Sequence, residues 1–147
     1  MKNVLVLGIG NRLMMDDGLG VRIVESLQHE TAISGIRYVV GETDIDYSLH
    51  AMEGADELII VDAVSTGRPA GELAIFSLEK YNHSNVGISA HNLHLLHMIP
   101  HVYPDLHVKI IGIEAERIDF GLELSQVMQE KLSEITRNVR AVITDIL

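Results

Sequence analysis

Asp16 and Asp17 stand side by side shortly after Gly8-Ile9-Gly10-Asn11, and a third acid, Asp62, ends the apolar run Leu58-Ile59-Ile60-Val61. An acid at the end of such a run carries a desolvation cost until it finds a partner, either a bound cation or a hydrogen-bonded helix terminus. Acids at a helix start can cap free backbone N–H groups, but one is enough for that, and the second then needs another role. Carboxylates without basic neighbours point to cation chemistry rather than to phosphate binding. Three histidines, His91, His94 and His97, lie on one segment. His91 opens that segment near a predicted strand end and is the better ligand candidate, whereas His94 and His97 read as solvated. Asp17, Asp62 and His91 together would make an oxygen- and nitrogen-rich site suited to nickel, zinc or a similar borderline ion.

Other chemistries lack their residues. Gly8-x-Gly10 after a strand invites a dinucleotide reading, but Leu13 stands where the fingerprint wants a third glycine, and the acids that follow repel phosphate. No nucleotide cofactor is expected. The chain has no cysteine, which excludes disulfides, thiolate metal sites and a Cys nucleophile. It also lacks His-Glu-x-x-His and Gly-x-Ser-x-Gly, the signatures of zinc proteases and α/β serine hydrolases.

The candidate residues depend on a particular order of elements. Val4 to Ile9, Ile36 to Val40, Glu57 to Ala63 and His107 to Ile113 read as strands, the first and third of them continuous apolar runs of the kind buried on both faces. Glu72 to Ser77 reads as an antiparallel edge strand after the turn Gly67-Arg68-Pro69-Ala70-Gly71. Helices are predicted from about Asp17 to His29, around Tyr47 to Met52, from an N-cap at Ser89 to about Ile99, and from a cap at Ser125 to near the end. In the first, Leu19, Gly20, Ile23, Val24 and Leu27 share one face. This alternation predicts an α/β fold, a three-layer α/β/α sandwich around a mostly parallel five-stranded sheet. Right-handed crossovers would then gather Gly10 to Asp17, Gly41 to Thr43, Asp62 and the segment before His91 on one rim.

The 147 residues are expected to form one domain. With 47% hydrophobic and 22% charged residues the composition is that of a folded globule. The net charge of −10, with no Lys/Arg cluster, argues against nucleic-acid binding. No apolar run approaches the ~20 residues of a membrane span, and no signal peptide is recognisable, so a cytoplasmic protein without membrane insertion is expected.

Gly8-Ile9-Gly10-Asn11, Met15-Asp16-Asp17-Gly18-Leu19-Gly20, Leu58-Ile59-Ile60-Val61-Asp62-Ala63 and Ser89-Ala90-His91-Asn92-Leu93, in this order and spacing, resemble the [NiFe]-hydrogenase maturation proteases over essentially the whole chain. The resemblance implies a phosphorylase/hydrolase-like fold. It also implies an endopeptidase that removes a short C-terminal extension from the hydrogenase large-subunit precursor once nickel has been inserted. The family's metal-contacting residues fall on Asp17, Asp62 and His91, which would recognise nickel carried by the substrate and so place the scissile bond for attack by water. Asp16 matches the first acid of the family pair and would help in substrate binding.

Two segments depart from the family pattern. Val40-Gly41-Glu42-Thr43 stands where the family usually has an Asp-Gly-Gly-Thr-like stretch; Gly41, Glu42 and Thr43 are the implied substrate-choosing residues. Gly112-Ile113-Glu114-Ala115 follows a Gly-x-x-Pro pattern with alanine in place of proline, a change expected to alter loop stiffness rather than chemistry. Two rivals to the protease remain open on the residues alone. One is a nickel-binding, chaperone-like maturation module without peptidase activity; the other is a small metal-dependent hydrolase of non-peptide substrates.

Overall fold

The apolar strand runs and amphipathic helices assemble as a sheet clad on both faces. The computed structural model describes residues 2–83 and 90–147, with the backbone alone for 82, 83, 90 and 91. In chain order the elements are β1 (Val4–Ile9), α1 (Leu19–Gln28), β2 (Ile36–Glu42), α2 (Ile45–Ala51), β3 (Glu57–Val64), β4 (Leu73–Ser77), α3 (Leu78–His83), α4 (Ala90–Val102), β5 (His107–Glu114) and α5 (Gln126–Ile146). The sheet order is β2-β1-β3-β5-β4. The first four strands run parallel, and β4 closes the edge antiparallel to β5. The expected fold class and the antiparallel edge are both observed.

Strand alternation divides the core in two. Val4, Val6, Ile59, Val61, Ile111 and Ile113 face α1 and α5, packing with Leu19, Ile23, Val24, Leu27, Met128 and Val139. Leu5, Leu7, Ile9, Leu58, Ile60 and Ile110 face α2, α3 and α4, against Leu49, Met52, Tyr81, Leu95, Leu96 and Ile99. All six residues of β1 are buried. At such sites truncating a Leu or Ile to Ala typically costs about 2–5 kcal/mol.

Five element boundaries and one additional helix differ from the sequence pattern. A 3₁₀ turn, Met15–Gly18, precedes α1, which therefore begins at Leu19 rather than Asp17. The short helix α3 has no counterpart in the prediction. α4 runs through Pro100 to Val102. β2, β3 and β5 each continue past their predicted ends, to Glu42, Val64 and Glu114. Ser125 caps α5 as expected, its hydroxyl accepting from Met128 N, whereas the predicted cap Ser89 lies outside the described residues.

The order of strands matters for function. β1 hands the chain to α1 on one face and onward to β2, while β2 hands it through α2 on the other face to β3. The connections thus diverge between β1 and β3, and open α/β sheets bind ligands in the crevice outside the carboxyl ends of the strands at such a point. Glycine lets α1 come unusually close there. A Cβ on Gly20 would stand 2.2 Å from the carbonyl oxygen of Val61 and 2.9 Å from that of Ile9, so the helix backbone rests directly on β1 and β3.

Candidate active site

Asp17 and Asp62 are the two acids that flank this divergence. Gly10, with φ +138°, turns the chain out of β1, and a Cβ there would meet the Asp17 carbonyl oxygen at 2.0 Å. That turn folds Asn11 to Asp17 back over the end of the sheet. Asn11 N donates to Asp17 Oδ2 at 2.9 Å. Neither acid caps α1, whose N-cap is Gly18 without a side-chain bond, so the capping alternative is not the one realised.

Asp62 sits within β3 and is wholly buried. Among the described residues its partners are two side chains and the backbone N–H of Ala63. Tyr81 of α3 donates its hydroxyl hydrogen to Oδ2 at 3.0 Å, and Asn92 of α4 offers Nδ2 at 3.0 Å to both oxygens. Burial, and then the negative charge of Asp17, push the Asp62 carboxyl up to about 8, against the opposing bonds from Tyr81 and Asn92. Burial also raises Asp17, with the Asn11 bond opposing. The Tyr81 phenol is pushed well above its ordinary range, chiefly by burial and then by the adjacent Asp62. Among the described residues no Lys or Arg side chain is bonded or ion-paired to either carboxylate. Two buried acids so placed can receive a cation from outside.

His91 is the second residue of α4, and its side chain lies outside the described residues. The next residue, Asn92, is buried and reaches Asp62, so the first turn of α4 abuts β3. Among the described residues no three His, Cys, Asp or Glu side chains are grouped to hold a metal; the described site offers two carboxylates. His94 and His97 are exposed, as expected.

Gly41, Glu42 and Thr43 reach the same rim. Gly10 N donates to the Glu42 carbonyl oxygen at 3.0 Å, and Glu42 takes the guanidinium of Arg12 at 2.6 Å, which also pairs with Glu25. Gly41 is buried against Ser48, while Glu42 and Thr43 are exposed. Glu42 holds φ +52°, a left-handed conformation that a side chain disfavours by about 1–2 kcal/mol. The resemblance noted above would place glycine at this position, a residue that adopts such a conformation freely.

Asp16 requires a correction. Expected to help bind substrate, it is fully buried and turned inward. Its Oδ2 accepts from Glu116 N (3.0 Å), Arg117 N (2.8 Å) and Ser125 Oγ (2.8 Å), and its Oδ1 from Ser125 N (2.8 Å). It fastens the segment between β5 and α5 beside Asp17 and presents nothing to a substrate. Tyr81 and Asn92 are the site residues that the sequence pattern does not single out. Asn92 lies inside a motif quoted above and was findable there; Tyr81 carried no signal.

The profile of the hydrogenase maturation protease family (HycI) matches residues 21–142. The chain belongs to this family. It is 33% identical over 141 residues to the hydrogenase expression/formation protein HoxM of Cupriavidus necator, an alignment that covers 89% of this chain and 69% of the relative. Its fold is similar to that of the hydrogenase maturating endopeptidase HybD from Escherichia coli, with TM-score 0.81 and 26% identity over 97% of this chain and 93% of that one. It is also similar to the [NiFe] hydrogenase maturation protease HybD from Thermococcus kodakarensis, with TM-score 0.73 and 28% identity over 95% and 98% of the two chains. Membership makes the protein an endopeptidase of hydrogenase maturation. No helix among the described residues is long and apolar enough to cross a membrane.

Proposed function

We propose that this protein makes one cut in the precursor of a [NiFe]-hydrogenase large subunit, releasing its C-terminal extension after nickel insertion. Asp17, Asp62 and His91 contact nickel that the precursor already carries. The carrying observation is the pair of buried carboxylates at the β1/β3 divergence, with no basic side chain among the described residues to neutralise them. With its pKa at about 8, Asp62 holds a proton at neutral pH. An ion must displace that proton to bind, which weakens metal capture at neutral pH.

Nickel held against these carboxylates would act as a Lewis acid on the scissile carbonyl or on an attacking water. Water is the preferred nucleophile because the chain has no cysteine and no nucleophile elbow. The absence of cysteine also fits action in the cytoplasm. The test mixes the protein with nickel-loaded and nickel-free precursor and weighs the products. Loss of a C-terminal peptide from the loaded form alone is expected. Equal cleavage of both forms, or of neither, overturns the reading, and tight binding of free nickel without cleavage would favour a metal-binding module.

A further inference from the structure

Residues 115–125, between β5 and α5, combine a pinned backbone with exposed apolar side chains. Besides the Asp16 carboxylate bonds, Asp16 N donates to the Arg117 carbonyl oxygen (3.2 Å), Met15 N to that of Gly121 (3.0 Å), and Gly121 N to that of Leu13 (2.9 Å). The Arg22 guanidinium donates to the Leu122 carbonyl oxygen at 2.6 Å. The lip thus made along Leu13–Asp16 leaves Phe120 85%, Leu122 70%, Leu13 58% and Ile118 40% exposed. A Cβ on Gly121 would press on Met15 at 2.9 Å, so the residue between Phe120 and Leu122 faces inward. A free loop would fold such side chains away from water; here the backbone bonds hold them out.

Three features identify what covers the lip. It is continuous with the acid pair, since Asp16 fastens it and Asp17 is the next residue. Four side chains offer a few hundred Å², below the ~800 Å² per partner of a stable protein interface, which suits a short segment held for one turnover and not a second copy of this chain. The exposed charges beside it, Glu116, Asp119 and Glu123 against Arg117, are net acidic even with the half-buried Arg22 guanidinium counted, as is the whole chain at −10. We infer that the Leu13/Phe120/Leu122 lip seats an extended apolar segment of the precursor that is flanked by Lys or Arg, beside the bond to be cut. This rests on the precursor being the substrate.

The test uses the full chain as wild type, as the double variant Phe120→Ser/Leu122→Ser, and as Glu123→Lys. With nickel-loaded precursor, the double variant should raise KM at least tenfold with kcat within twofold, and Glu123→Lys should raise KM several-fold. Circular dichroism should match wild type, because all three side chains are exposed. Binding of immobilised nickel-free precursor is measured alongside and should weaken tenfold in the double variant. An unchanged KM and unchanged binding in a folded double variant overturns the inference. So does a wild-type dimer in sedimentation that the double variant abolishes. If wild type cleaves neither form of precursor, the cleavage reading fails by itself, and the binding comparison still decides the lip.

Discussion

Tyr81 donates its hydroxyl hydrogen to Asp62 Oδ2 at 3.0 Å from a helix only six residues long. That bond favours the charged carboxylate, so Tyr81→Phe should push the Asp62 pKa higher still. Outer partners of this kind typically change affinity or activity by about 10–100-fold. The expected result is roughly a tenfold loss of processing at pH 7, with the rising limb of the pH–rate profile moved to higher pH. A profile that scales down without moving would assign Tyr81 a packing role alone.

The raised carboxyl of Asp62 makes stability depend on pH in a direction unlike that of most acids. Its pKa is about 8 when folded, against an ordinary 3.8. Its contribution is therefore complete below pH ~4 and lost as pH rises through 8. Between pH 6 and 8 this group alone should lower stability by about 2 kcal/mol. Glu25 and Asp119, both held below their ordinary values, change only in more acidic solution. Urea unfolding across that window should show the decline in wild type and a flatter line in Asp62→Asn.

Asp16→Ala removes the acceptor for three backbone N–H groups and one hydroxyl. Leaving such buried donors unpaired should cost about 3 kcal/mol or more. Amide hydrogen exchange should quicken in residues 115–125 ahead of the strands. Equal protection there in wild type and variant would show that the segment is held by other contacts.

Glu42 allows its backbone conformation to be weighed apart from its ion pair. Glu42→Gly and Glu42→Ala both lose the Arg12 contact, but only glycine takes φ +52° freely. Glu42→Gly should be the more stable of the two by about 1 kcal/mol. Thermal melts of the pair suffice, and equal midpoints would mean the loop relaxes out of the left-handed region.

Asp17→Asn and His91→Ala should each abolish processing of nickel-loaded precursor while leaving the far-ultraviolet spectrum unchanged. Stripping the precursor of nickel with a chelator should have the same effect on wild type. Full activity in either variant would remove that residue from the metal-contacting set.

β1 and β3 were readable as continuous apolar runs, β2 and β5 as apolar runs interrupted by one or two charged or polar residues, and β4 because it follows a Gly-Pro-rich turn. The fate of Asp16 was not. Its partners lie 100 to 109 residues away in the chain, and a local pattern offers only the cap that it turns out not to be. α3 spans too few residues to show a helical period, and burial of Tyr81 against the sheet holds it in place. Asp62 was visible as a residue that needed a partner; that Tyr81 and Asn92 supply it follows from tertiary packing alone.

At Gly20 no side chain stands between the backbone of α1 and the Val61 carbonyl of β3. The interval separating Asp17 from Asp62 is accordingly written in main-chain atoms. To retune it, an engineer would have to shift a helix, and a side chain placed at Gly20 would force that shift.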